Sequence, residues 1–226
     1  MAANDPRVLA GTPLHGANQF PSEPADLRAC VLDWFNHMER VGRALLGGIA
    51  LALGMDAGWF AATIAAQPTH LFRIFHYPPS DGVGWGVGQH TDYGLLTILA
   101  QDDCGGLQVQ MPACGGRDEQ WISVPAEPNV FVVNLGDMLE RWTNGLFLST
   151  RHRVLNAAGR ERLSMPFFFE PNFTCLVECL PHCCGPERPA RYAPIRAGDY
   201  LLSRYGATHA AYGGAPLATG DDAAEA

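Results

Sequence analysis

His90 and Asp92 stand two residues apart, a spacing at which an imidazole and a carboxylate can meet one metal ion. On a strand, positions two apart point to the same face, so both side chains reach the same point. Alone, the pair reads just as well as two polar residues at a strand end. Its surroundings shift that balance. Gly84, Gly86 and Gly88 precede it and Gly94 follows, giving a backbone that another group can approach closely. A third ligand must come from far along the chain, and His152, within Ser149–Val154, opens another strand-like run. Two imidazoles and one carboxylate form a facial set with three coordination positions left open. That set suits Fe(II) and would also accept Mn, Co or Zn.

Arg162 comes ten residues after His152, and Ser164 two further on. A strand running on from His152 would carry both on one face. An arginine fork grips a carboxylate bidentately and a serine hydroxyl adds one donor, so the pair is an anion anchor beside a metal with open positions. Arg162 taken singly reads as part of a solvated turn, Arg160-Glu161-Arg162; the conjunction of spacings favours the anchor.

Other chemistries are excluded by composition. All 15 basic residues are arginine, which removes Schiff-base catalysis and the phosphate-gripping lysine of a P-loop. The net charge of −8 argues against nucleic acid as the main partner. No apolar run approaches the length of a membrane span. The start does not have the basic-then-apolar order of a secretory signal, and the 7 cysteines are an odd number, so free thiols in a reducing, cytoplasmic setting are expected. Cys175, Cys179, Cys183 and Cys184, with His182 among them, do not have the paired spacing of structural zinc sites; in an apolar run they read as small hydrophobes.

The elements that must position these residues follow from periodicity. Residues 1–23 read as loop. A long helix is expected from about Pro24 to Leu53, with Cys30, Leu32, Phe35, Met38, Val41, Leu45 and Ile49 near a helical period and Gly54 as its stop. A second helix is expected from Asp56 to about Ala66. Short strands follow at Leu71–Tyr77, Leu95–Leu99, Leu107–Gln110, Trp121–Val124, Val130–Asn134, Arg153–Asn156, Ser164–Phe169 and Cys175–Cys179, with helices near Asp137–Trp142 and Gly198–Thr208. The expectation is one α+β domain, mainly β: a helical flank over 1–66, a jelly-roll core and final helix over 67–212, and a frayed tail over 213–226. The five tryptophans read as packing rather than as substrate-stacking residues; among them Trp85 has the best claim to a pocket role, since it lies on the approach to His90.

At this point a family resemblance is carried by specific runs. Phe75-His76-Tyr77-Pro78-Pro79, Gly88 to Leu99, Gly105-Gly106-Leu107-Gln108-Val109, Val133-Asn134-Leu135-Gly136-Asp137 and Arg162-Leu163-Ser164 occur in the order found in the iron(II)/2-oxoglutarate-dependent oxygenases, in the branch with isopenicillin N synthase and the plant flavonoid and hormone dioxygenases. The sequence resembles that branch over about residues 10 to 212. The resemblance implies a double-stranded β-helix (jelly roll) with flanking N-terminal helices. It implies His90, Asp92 and His152 as iron ligands, Arg162, Ser164 and Tyr77 as holders of the distal carboxylate of 2-oxoglutarate, and Asn134 beside the cosubstrate. Two departures stand out. Phe75 replaces an asparagine that relatives have two residues before the tyrosine. Relatives also carry a further N-terminal region with a strand and helices, so a truncated chain with one open sheet edge is expected.

The expected function is oxidation, most often hydroxylation, of a small organic substrate with O2 and 2-oxoglutarate consumed, succinate and CO2 released, and ascorbate as an accessory reductant. Two competing readings are an iron oxidase in which Arg162 and Ser164 hold the substrate's own carboxylate, and a truncated, non-catalytic metal-binding module.

Overall fold

The computed structural model describes residues 1–79, 81–82, 84–113, 118–156 and 159–208. The expected tail at 213–226 and His209 lie outside the described residues. The chain divides into two compact units, Met1–Val41 and Gly42–Ala226.

In the first unit, a single helical turn, α1 (Pro6–Leu9), interrupts what sequence reads as loop. Its start is over-determined: Pro6 supplies a helical φ, and the Asp5 carboxylate accepts the Arg7 amide at 2.9 Å. The long helix α2 (Leu27–Ala52) begins in this unit and continues through the second.

In the second unit α2 lies against the sheet at Gly42, where an added Cβ would overlap the Phe169 ring. Helix α3 (Trp59–Ala62) is far shorter than the expected second helix. Asp56 caps the turn through the Gly58 amide at 2.7 Å, but the Thr63 hydroxyl bonds back to Trp59 O at 2.6 Å as the backbone leaves helical geometry.

The strands are β1 (Thr69–Phe72), β2 (Phe75–Tyr77), β3 (Gly84–His90), β4 (Leu96–Gln101), β5 (Leu107–Met111), β6 (Gln120–Ser123) and β7 (Val132–Leu135). Helix α4 (Asp137–Trp142), β8 (His152–Asn156), β9 (Arg162–Glu170), β10 (Leu176–Val177), β11 (Ile195–Arg196) and α5 (Ala197–Thr208) complete the chain. One large sheet runs β1-β9-β4-β7, with β2 also on β9; the other runs β3-β8-β5-β6; a small sheet pairs β10 with β11; every pairing is antiparallel. The two large sheets interleave strands distant in sequence, which makes the double-stranded β-helix. No helix among the described residues is long and apolar enough to cross a membrane.

Three expectations are corrected in detail. The single strand Leu71–Tyr77 is split in two, although β1 and β2 keep one continuous register along β9. The break lies opposite Pro166. Arg73 donates to Pro166 O at 3.1 Å, but proline has no N–H to return the bond, so the ladder lapses. Second, Arg162 and Ser164 do not ride on a continuation of the His152 strand. β8 and β9 belong to different sheets, so the chain crosses the sandwich between the two motifs. Third, the expected strand at Cys175–Cys179 contracts to β10, two residues long.

Apolar residues from both sheets meet in the interior. Tyr77, Leu99, Leu107 and Val154 form a buried cluster, and Phe75, Val87, Val124 and Val132 pack against it. Residues of that cluster also line a cavity of about 450 Å³.

Candidate active site

His90 ends β3 and His152 begins β8, and the two are partners in register. Strand pairing therefore brings together residues 62 positions apart in sequence, with ring centroids 4.2 Å apart. Asp92 lies just past the strand end. Its Oδ1 is 3.9 Å from His90 Nε2 and 3.7 Å from His152 Nε2. Among the described residues, these three form the group able to hold a metal ion, with ligand atoms all within 4.8 Å of one another.

The ligand atoms are aimed by their other halves. Each histidine uses Nδ1 on the carbonyl two residues earlier, His90 on Gly88 O at 2.9 Å and His152 on Thr150 O at 3.0 Å. A protonated Nδ1 donating there leaves Nε2 as the lone-pair nitrogen facing the centre. Burial and the adjacent His152 hold the His90 imidazole below its ordinary value, which favours the neutral, ligating form. Asp92 Oδ2 accepts from Thr97 Oγ1 and, at 2.7 Å, from Asn134 Nδ2, leaving Oδ1 turned toward the histidines. The loop itself is pinned by the start of α4: the Asp137 amide donates to Asp92 O at 2.8 Å and the Met138 amide to Tyr93 O at 3.1 Å.

The anchor sits on β9. Arg162 and Ser164 are both buried, and Tyr77 and Phe75 face them in register across the β2–β9 pair. The Arg162 guanidinium lies 5.0 Å from the Tyr77 ring centroid. Its Nε donates to Gly105 O at 2.6 Å and its Nη2 to Gln101 Oε1 at 3.3 Å. Its Nη1 has no partner, although the residue is 2% exposed and lines the cavity. A buried guanidinium nitrogen without an acceptor is costly unless a ligand supplies one. The residues thus fit a carboxylate ligand beside the metal triad.

The profile of the 2OG-Fe(II) oxygenase superfamily matches residues 68–171, the stretch that carries the triad and the anchor. The chain belongs to that superfamily. An iron/ascorbate oxidoreductase of Dictyostelium discoideum is 42% identical over 193 residues, covering 74% of this chain and 52% of that protein. The rice homoarginine-6-hydroxylase is 36% identical over 203 residues, covering 85% and 60%. Among solved structures, a 2OG-Fe(II) oxygenase family protein of Caulobacter crescentus superposes with a TM-score of 0.78 at 30% identity, covering 90% of this chain and 66% of that one. A full-length Neurospora crassa protein in complex with alpha-KG and thymine gives 0.75 at 28%, covering 87% and 62%. The chain spans between about half and two thirds of the length of these relatives.

Within this oxygenase superfamily the metal is Fe(II) and the cosubstrate 2-oxoglutarate, and both suit the donor set here. His90, Asp92, His152, Arg162, Ser164, Tyr77 and Asn134 all line one cavity. Asn134, expected beside the cosubstrate, spends its amide on Asp92. Phe75 gives that wall an apolar ring whose centroid lies 6.1 Å from that of Tyr77. Trp85 has no pocket role: it is 58% exposed and does not line the cavity, with the Arg153 guanidinium 4.4 Å from its ring centroid. The residues that sequence reading missed are Thr97, Gln101 and Glu170. Glu170 had a visible signal, since it shares the period of two that runs Arg162, Ser164, Pro166, Phe168, Glu170 along β9. It is buried, its Oε2 has no partner, and it lines the same cavity. Burial, with the like charges of Asp92 and Asp137, pushes its carboxyl up to about 8.

Proposed function

We propose that this chain carries the catalytic core of an Fe(II)- and 2-oxoglutarate-dependent oxygenase that hydroxylates a small organic molecule. The observation that carries the reading is the unpartnered Arg162 Nη1, buried in the wall of the cavity that the His90–Asp92–His152 triad also lines.

His90, Asp92 and His152 would hold the metal on one face, leaving the opposite face turned into the cavity. The Nδ1 bonds to Gly88 and Thr150 fix both tautomers, and Thr97 and Asn134 keep Asp92 Oδ1 available. Arg162 and Ser164 would receive the distal carboxylate of 2-oxoglutarate, with Tyr77 packed beneath the guanidinium. The bidentate fork orients the cosubstrate so that its other end faces the triad. Bound iron and 2-oxoglutarate supply the oxidising chemistry: O2 is consumed, 2-oxoglutarate becomes succinate and CO2, and one oxygen atom enters the substrate. Leu99, Leu107, Val109 and Val154 line the cavity with apolar surface and keep bulk water from the reacting centre.

The test is succinate formation by Fe(II)-loaded protein supplied with 2-oxoglutarate, O2 and ascorbate. The reading requires 2-oxoglutarate consumption that vanishes in His152→Ala. Oxidation of a carboxylate-bearing substrate with no 2-oxoglutarate requirement would instead assign Arg162 to the substrate.

A further inference from the structure

The far end of β9 poses a problem that the oxygenase reading leaves open. Strand alternation sends Arg162, Ser164, Pro166, Phe168 and Glu170 to the cavity side of the strand. Arg162 and Ser164 form the anion anchor at one end. Glu170, eight residues on, closes the row with a carboxyl group. It is 7% exposed and its Oε2 has no hydrogen-bond partner.

A carboxyl in that position is expensive. Buried acids are found with an arginine, a backbone amide or a water that meets their lone pairs. The charged groups that act most on Glu170 are Asp92 and Asp137, both of its own sign. The chain has also made room for it: an added Cβ on Gly94 would overlap both carboxylate oxygens, so the carboxyl rests against a residue with no side chain. Gly94 follows Asp92 by two, which ties the position of Glu170 to the metal loop. The surrounding wall is largely aromatic, with Arg73 in the cavity lining donating to the Tyr205 hydroxyl at 3.4 Å and the Arg204 guanidinium 5.1 Å from the Tyr93 ring centroid. Tyr93, Phe168 and Tyr205 line the same cavity, with the Tyr93 and Tyr205 rings 6.0 Å apart and nearly perpendicular.

We propose that Glu170 is the substrate-recognition residue of this site, and that with the rings of Tyr93, Phe168 and Tyr205 it binds a cationic nitrogen group of the substrate, an ammonium or a guanidinium. The proposal rests on the oxygenase reading for the word substrate, but its chemistry is that of the cavity alone. A cation supplies the counter-charge that favours the ionised carboxylate and an N–H donor for its unpartnered Oε2, and aromatic faces add a further attraction to it. Arg162 and Glu170 then divide the work along one strand: an anionic cosubstrate is held at one end and a cationic substrate at the other, in the cavity that the triad also lines.

The experiment uses two probes of equal shape and different charge, n-butylguanidinium and n-butylurea. Each is titrated calorimetrically into the Zn(II)-loaded chain, where redox-inert zinc prevents turnover, and 2-oxoglutarate is titrated separately. The expected result is that n-butylguanidinium binds about ten- to a hundredfold more tightly than n-butylurea, and that Glu170→Gln removes the difference while leaving 2-oxoglutarate affinity unchanged. Amide spectra of the wild-type protein give a second readout that needs no variant: n-butylguanidinium should move the signals of Tyr93, Gly94 and Glu170. Equal binding of the two probes, no saturable binding of n-butylguanidinium, a preference that survives Glu170→Gln, or spectral changes confined elsewhere overturns the proposal. Loss of 2-oxoglutarate binding in the wild-type titration would count against the oxygenase reading and leave the probe comparison standing.

Discussion

Asn134 donates its side-chain amide to Asp92 Oδ2 at 2.7 Å, from a strand that lies on the opposite sheet to the two histidines. Thr97, the register partner of Asn134 across β4–β7, donates to the same oxygen. One cross-strand pair thus grips half of a carboxylate and leaves the other half for a metal.

Removing either donor should therefore weaken metal binding with little effect on folding. Asn134→Ala and Thr97→Val are each expected to lower metal affinity by about ten- to a hundredfold, the usual range for groups that orient a ligand. Competition between the protein and a chelating indicator measures this, with the melting temperature as control. Unchanged affinity in both variants would mean that Asp92 needs no outside support.

Arg162→Ala is expected to cost two to three and a half decades of 2-oxoglutarate affinity, since losing the partner of a buried charge costs about 3–5 kcal/mol. Metal affinity should stay level, because Arg162 makes none of the triad's hydrogen bonds among those described. Arg162→Lys should recover only part of the loss, a point charge being a poor copy of the fork. Calorimetric titration of 2-oxoglutarate into Zn(II)-loaded protein reads all three. Equal affinities would remove Arg162 from the cosubstrate site.

Glu170 makes the metal-free chain's stability depend on pH. Its folded carboxyl titrates at about 8, against 4.5 for the ordinary group. Between those values the native state holds a proton that the unfolded chain releases, so stability falls as pH rises through that window and levels off above it. Chemical denaturation at pH 5, 6, 7 and 8 should show the decline, and Glu170→Gln should flatten it. A wild-type profile that rises over the same window would contradict the assignment.

Gly42→Ala tests how closely α2 meets the sheet. The new methyl would overlap the Phe169 ring, and overpacking of this kind costs about 1–3 kcal/mol. Denaturation midpoints measure it; a neutral or stabilising result would show slack between Gly42 and Phe169.

How much of this was legible in the sequence varies by residue, for physical reasons. Arg162 and Ser164 announce themselves because a spacing of two becomes a shared face on β9, whereas His90 and Asp92 meet although Asp92 lies past the end of β3. That His90 and His152 are register partners is a tertiary fact, and no local pattern encodes it. The change of sheet between β8 and β9 was equally hidden, since which sheet a strand joins is set by its distant partners. The split at Arg73 came from Pro166, a residue distant in sequence whose missing N–H acts across the ladder. Glu170 was passed over as one more strand residue, although its parity with Arg162 was in plain view.

The central claim is that His90, Asp92 and His152 hold iron within reach of a 2-oxoglutarate gripped by Arg162. Anaerobic addition of Fe(II) and then 2-oxoglutarate, followed by visible absorption, tests it most directly, because a chelating 2-oxoglutarate gives a weak charge-transfer band only when both are bound together. The account requires the band in the wild-type chain, its loss in His152→Ala, and its recovery in Arg162→Ala only at far higher 2-oxoglutarate. A band of undiminished intensity in His152→Ala would contradict it.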